Sequence, residues 1–89
     1  MEKTVSVHER VNKKRPEISD DDVLWAWKKK IKCRLRLETE PPQYVAAGFD
    51  QKGRALEMVG IYDPTADETL IIHARKLRSG TRKELGLDR

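Results

Sequence analysis

His73 and Arg75 stand two residues apart in the apolar segment from Leu70 to Arg75 of this 89-residue chain. Side chains two apart on a β-strand point to the same face of the sheet. Histidine can accept or donate a proton near neutral pH, whereas arginine keeps its charge and binds phosphate oxygens through its planar fork. The pair therefore indicates a site that could handle a phosphodiester.

A carboxylate joins this pair when the neighbouring segments are paired as strands. Apolar runs at about 44–49, 55–62 and 70–75 are separated by turn residues, which predicts an antiparallel meander. In the last two runs, the face without charge should pack on the helices. The predicted core residues are Leu56, Met58, Leu70, Ile72 and Ala74. Glu57 then shares the other, open face with His73 and Arg75.

The segments before the meander predict helices and one further strand. A first helix is expected from Val5 to Lys14, and a second begins at Ser19, a candidate N-cap followed by three aspartates. From Ile31 to Glu38 apolar and charged residues alternate, which predicts a half-buried strand with Cys33 as a packed thiol. A short last helix is expected from Thr81. The whole pattern predicts one α+β domain over residues 1–89, with two N-terminal helices packed on one face of an antiparallel sheet of about four strands and a short C-terminal helix.

The charge favours an anionic partner. The formal net charge is +4, and basic residues concentrate near the C-terminus. The candidate RNA-binding residues are Arg54, Lys76, Arg78 and Arg82, with ordinary solvated surface as the alternative of equal weight. One cysteine and two distant histidines give no zinc spacing, so no metal or other cofactor is expected. No apolar run is long enough to cross a bilayer and no signal-peptide pattern is seen, so a cytoplasmic protein is expected.

The order helix, helix, meander and basic tail resembles the RelE/BrnT-like toxins and their relatives of unassigned function. The residues that carry the resemblance are His8-Glu9-Arg10, Arg15, Ile18 to Val23, Tyr44 to Gly48, Gly53-Arg54 and Ala74-Arg75. The strand that precedes the first helix in the BrnT pattern is missing here or reduced to a few residues. Glu57 and His73 stand where such sequences are usually apolar or small.

The resemblance implies a metal-independent endoribonuclease that acts on free or ribosome-bound RNA and is masked by a cognate antitoxin protein. In that role Arg75 would hold the scissile phosphate, and His73 would move protons. Glu57 would act as the base or fix the imidazole tautomer. His8 would supply a second histidine if its helix reaches the edge of the sheet.

Non-catalytic explanations exist for each of these residues. Glu57 and His73 could form a cross-strand polar pair, Arg75 could pair with Glu57, and His8 could pack against or cap its helix. The competing function is a non-catalytic protein- or nucleic-acid-binding module of the same fold, with Trp25 as the partner-binding residue. A DNA-binding regulator ranks last because no helix-turn-helix spacing is seen.

Overall fold

The chain forms five strands and three helices in residues 3–87, the part described by the structure, a computed structural model. In chain order they are β1 (Thr4–Val7), α1 (Glu9–Lys14), α2 (Asp20–Lys28), β2 (Lys32–Arg36), β3 (Gln43–Phe49), β4 (Ala55–Asp63), β5 (Glu68–Lys76) and α3 (Ser79–Glu84).

The strands form one mixed sheet in the order β1-β5-β4-β3-β2. Strands β2 to β5 pair antiparallel, as the meander predicted, whereas β1 pairs parallel to β5 with Val7 opposite Ile71. The predicted architecture of two N-terminal helices on an antiparallel sheet is therefore wrong, although the protein is α+β overall. The N-terminal residues Val5 to Val7 belong to a strand because Thr4-Val5-Ser6-Val7 alternates and is rich in β-branched residues, which suit a pleated surface.

The start of α2 matches the sequence prediction. Ser19 is the N-cap, its hydroxyl accepts a bond from the backbone N of Asp22, and the Asp22 carboxylate accepts one from the backbone N of Ser19. This reciprocal capping box satisfies two backbone donors that a helix start leaves unpaired. It fixes the start of the helix that covers one face of the sheet.

The main core lies between the sheet and the helices α1 and α2. Val23, Trp27, Leu56, Met58 and Ile71 are all buried in this cluster. The helix α2 lies so close to β3 that a Cβ added at Gly48 would come within 2.4 Å of the backbone oxygen of Ala26. Only glycine therefore allows this approach, and the closeness fixes α2 over the middle of the sheet.

A β-bulge in β5 changes which side chains face this core. Val59 lies opposite His73 and Gly60 lies opposite Ile71, so Ile72 has no partner on β4. One extra residue reverses the alternation of side chains along a strand. The core prediction is right for Leu56, Met58 and Ala74 and wrong for two residues on the far side of the bulge. Leu70 is 37% exposed, and Ile72 packs against the cluster on the opposite face.

The predicted open face is partly covered by the C-terminal segment. Val45, Ala47, Val59 and Leu85 form a second, smaller apolar cluster there, with Leu77 and Leu87 packed against it. Because α3 lies beside this cluster, polar groups on the same face are shielded from water. Glu57 is the main example, with an exposed fraction of 2%.

The strand β2 is more exposed than the sequence predicted. Cys33 is exposed rather than packed, and Ile31, Leu35 and Leu37 are also exposed. The reason is position: β2 is an edge strand, and α2 packs on β3 and β4 instead of covering it. An alternating pattern shows that a strand has an apolar face, but it does not show that another element covers that face.

No helix within residues 3–87 is long and apolar enough to span a membrane.

Candidate active site

Glu57 lies at the centre of a polar cluster on the α3 side of the sheet. Its two carboxylate oxygens accept bonds from the Arg78 backbone N at 3.0 Å, from Arg78 Nε at 3.1 and 3.2 Å, and from Arg78 Nη2. His73 Nε2 lies 3.0 Å from Oε2 of the same carboxylate. A buried carboxylate is stable in a protein only when it is bonded in this way.

These partners keep Glu57 ionised. Burial by itself would raise the pKa of Glu57, but the hydrogen bonds from Arg78, His73 and Thr81 outweigh it and lower the pKa from 4.5 to about 2. A carboxylate with that pKa carries no proton at neutral pH. Glu57 therefore acts as a hydrogen-bond acceptor and a fixed negative charge, which leaves it the orienting function rather than the function of a base.

His73 is held by this carboxylate in one tautomer. Burial lowers the pKa of His73; the bond to Glu57 opposes that effect, while the charges of Arg78 and Arg75 add to it. The imidazole is therefore neutral at pH 7, and because ionised Glu57 can only accept, the ring proton is assigned to Nε2. Nδ1 is then the basic nitrogen, and it makes no hydrogen bond to the described residues.

Arg75 is the direct cross-strand partner of Glu57, but the ion pair goes to Arg78 instead. Arg78 lies directly before α3 and binds the Glu57 carboxylate through both its backbone N and its side chain. Arg75, on the neighbouring strand, does not bind Glu57 in this way. The Nε atom of Arg75 is buried and has no hydrogen-bond partner within residues 3–87. Arg75 thus lies beside the cluster with part of its donor capacity unused.

The helix α3 is attached to the sheet at both of its ends. Near its start, Arg78 binds Glu57, and at its end Glu84 accepts bonds from Arg36 Nε at 2.7 Å, Arg36 Nη2 at 2.6 Å and Arg34 Nη1 at 2.7 Å. Sequence reasoning missed this arrangement and treated Arg78 only as a candidate RNA-binding residue. No local signal identifies these partners, because Arg78 and Glu57 lie 21 residues apart in the chain and Arg36 and Glu84 lie 48 residues apart.

A cleft of about 370 Å³ lies between α1 and β5, beside His73. Among the described residues it is lined by four cationic ones and no acidic one, together with apolar residues of α1 and β5. The cationic residues are Arg10, Lys13, Lys14 and Arg15. Arg10 is fixed at the cleft by the bond from its Nε to the backbone oxygen of Ile72 at 3.0 Å. These residues were not among the site residues predicted from the sequence, because α1 was not expected to end beside β5.

The remaining predicted RNA-binding residues are found in different settings. Arg54 is bound to Asp50 at 2.7 Å and to Asp22 at 3.1 Å, and it also donates to the backbone oxygen of Glu17, so it ties the β3–β4 turn to α2. Lys76 and Arg82 are exposed at the surface.

His8 is a helix cap in this structure. It occupies the N-cap position of α1, where its Nδ1 accepts a bond from the backbone N of Arg10 at 3.1 Å. It does not line the cleft beside His73. This geometry matches the capping alternative rather than a second catalytic histidine.

Trp25 lies on the outer face of α2 and is 40% exposed. The Nζ atom of Lys29 lies 4.9 Å from the centroid of its ring, a cation–π distance. A shallow cleft of about 280 Å³ beside it is lined by Asp21, Leu24, Lys28 and Gln51. No other element of the described chain covers this side chain fully.

Within residues 3–87, no group of three or more histidine, cysteine, aspartate or glutamate side chains is placed to hold a metal ion. No protein-family model, curated protein or solved structure matches the chain.

Proposed function

We propose that this protein is a metal-independent endoribonuclease of the RelE/BrnT-like kind, with His73 as the general base. The single observation that carries the proposal is the setting of His73. A neutral imidazole is oriented by a buried and ionised Glu57, and His73 is one of the residues that line a cleft whose described lining has cations and no carboxylates. An imidazole held by a carboxylate is a recurrent general base in enzymes.

The reaction would be transesterification at a phosphodiester. Nδ1 of His73 takes the proton of the ribose 2′-hydroxyl, the 2′-oxygen forms a bond to phosphorus, and the bond from phosphorus to the 5′-oxygen breaks. The 5′-oxygen takes its proton from water, and the hydroxide that remains takes the proton from the imidazolium of His73. The products are a 2′,3′-cyclic phosphate and a free 5′-hydroxyl. Glu57 keeps Nδ1 available and stabilises the imidazolium that forms, and Arg75 supplies positive charge next to the reacting phosphate.

The proposal is tested by cleavage of RNA in the presence of a chelator, together with growth arrest on expression. We expect His73→Ala to reduce cleavage by roughly a hundredfold or more, because it removes the base, and Arg75→Ala to reduce it comparably. The matched control is His8→Asn, which removes a histidine but keeps a side-chain acceptor at the N-cap, and it should retain activity.

A folded wild-type protein that neither arrests growth nor cuts RNA, free or ribosome-bound, would refute the proposal. Equal losses in the His73 and His8 variants would also count against it, since the control leaves the proposed base in place.

A second candidate function is a non-catalytic module that binds a partner protein, and the exposure of Trp25 favours it. A tryptophan of this kind is a frequent anchor of protein interfaces. The resemblance also implies an antitoxin, and Trp25 is the first residue to test against it. Trp25→Ala should weaken binding of the purified protein to the product of the neighbouring gene, with Leu37→Ala as an exposed apolar control.

A further inference from the structure

We infer that the cleft between α1 and β5 is a binding site for the phosphate backbone of single-stranded RNA. This inference rests on the proposed function only for the placement of the scissile phosphate next to His73. Binding itself does not require cleavage.

The cleft exists because β1 is shorter than β5. Their pairing ends at Val7 and Ile71, after which the chain turns into α1 while β5 continues to Lys76. His8 donates from its backbone N to the backbone oxygen of Ile71 at 2.9 Å, which fixes the point where the two elements separate. The space beyond is concave and reaches His73 on the strand. Its volume of about 370 Å³ lies within the range typical of small-ligand sites.

The charges in the cleft are concentrated on one side of α1. Arg10, Lys13 and Lys14 are spaced by three and four residues, so they lie on one face of the helix, and Arg15 follows as the C-cap. A helix of six residues is about 9 Å long. The cations along α1 can therefore contact more than one phosphate of an RNA strand. A single phosphate would leave part of the charge unmatched.

These four cations have no acidic partner among the described residues, which distinguishes them from many of the other arginines. Arg34 and Arg36 bind Glu84, Arg54 binds Asp22 and Asp50, and Arg78 binds Glu57. Favourable interaction with the negative end of the α1 dipole accounts for lysines in its last turn. It does not account for Arg10 in the first turn, whose guanidinium is held at the cleft by Ile72.

The shape favours a single strand over a duplex. The backbone of one strand can enter a cleft between a helix and a strand edge, whereas a duplex would contact only its rim. An unpaired strand also has the flexibility to place a 2′-hydroxyl next to His73. Phosphate contacts supply affinity without reading sequence, so the cleft fixes position rather than base preference.

The test uses a single-stranded 2′-O-methyl RNA of about 12 nucleotides, which cannot be cleaved through its 2′-oxygen. We expect its affinity to fall as salt rises, and Lys13→Ala with Lys14→Ala to weaken binding roughly tenfold at low salt. The pair should also reduce the slope of log affinity against log salt by about 1.4, or about 0.7 for each phosphate that is no longer neutralised. The matched control is Lys28→Ala with Lys29→Ala, which removes the same charge from the end of α2.

Equal effects of the two pairs would overturn the inference, because binding would then depend on net charge alone. No effect of either pair would also overturn it, because the lysines of the cleft would then not contact the RNA. Tighter binding of a duplex of the same length would also overturn it. Selective binding at the cleft by a protein that does not cleave RNA would leave this inference intact and refute the proposed ribonuclease, so the two failures are distinguishable.

Discussion

The arginines near α3 and the cations of α1 carry the same charge but occupy opposite electrostatic environments. Arg78 is bound to a buried carboxylate, and Arg34 and Arg36 are bound to Glu84. The positive charge of these arginines is therefore already paired with carboxylates of the same protein. The cations of α1 surround a cleft that has no acidic group among its described lining residues. A run of basic residues in a sequence therefore does not show where a folded protein presents positive charge, because the position of the acidic partners decides it.

The largest loss in the free energy of unfolding is expected when Glu57 is replaced. Replacing it by glutamine removes the charge that Arg78 and His73 both bind, and we expect the free energy of unfolding to fall by on the order of 3 kcal/mol, which is what the lowering of the Glu57 pKa from 4.5 to about 2 represents. Urea denaturation measures this change. Glu38→Gln is the control, since Glu38 lies on the surface and contacts Arg34 only at 3.5 Å. A loss at Glu57 no larger than at Glu38 would contradict the paired environment of Arg78.

The same cluster predicts that stability decreases in acid. Because the pKa of Glu57 is lowered from 4.5 to about 2, its contribution is complete above pH 4.5 and is lost as the pH falls through about 2. The shift corresponds to on the order of 3 kcal/mol.

Burial also lowers the pKa of His73 below 6.5, with Arg78 and Arg75 adding to the shift and Glu57 opposing it. The folded state therefore binds fewer protons than the unfolded state, and a smaller loss of stability begins as the pH falls below about 6.5. Unfolding measured between about pH 8 and pH 2 should show both losses. His73→Gln should lack the upper one, and a flat profile from about pH 7 to pH 3 would be inconsistent with the cluster.

An intermediate effect is expected at Arg54. Arg54→Ala leaves Asp22 and Asp50 buried with fewer partners, so we expect a loss of about 2 kcal/mol in the free energy of unfolding. Lys52→Ala should cost less than about 1 kcal/mol, because Lys52 is 65% exposed and reaches Asp22 only at 3.5 Å. If Arg54→Ala instead changes RNA affinity and not stability, Arg54 belongs with the cations of α1.

The smallest effect on stability is expected in α1. The double substitution Lys13→Ala and Lys14→Ala should change the free energy of unfolding by no more than about 0.5 kcal/mol, because neither side chain has an acidic partner among the described residues. Thermal unfolding measured beside that of the Glu57 variant gives the contrast directly. A decrease above about 1 kcal/mol would mean that these lysines stabilise the fold rather than remain available to a ligand.

The sequence predicted the local features that depend on near neighbours. The N-cap at Ser19, the antiparallel meander and the shared face of Glu57, His73 and Arg75 all follow from residue types and spacing. Their signals lie within a few residues of one another or on adjacent strands, which is the range at which side-chain alternation carries information.

The features that the sequence did not predict depend on distant contacts. Val5 and Val7 pair with β5, more than sixty residues away, and the alternation of the four residues of β1 does not identify that partner. The bulge at Ile72 adds one residue without any glycine or proline in β5 to mark it. Arg78 and Glu57 meet because α3 folds back over the sheet, and the cleft exists because α1 turns away from β5. Each of these is a tertiary arrangement that local propensity does not encode.

The parallel pairing of β1 with β5 has a consequence for the order in which the protein forms. Thr4 lies opposite Glu68, so the first strand waits for a partner that is synthesised 64 residues later. At the usual rate of about 5–20 residues per second, that delay is roughly 3–13 seconds on the ribosome. The meander of β2 to β5 can assemble from neighbours in the chain, but β1 must close the longest loop of the sheet last. Since α1 follows β1 directly, its cations reach their place beside His73 only after this closure, so a nascent chain that ends before β5 lacks the cleft entirely.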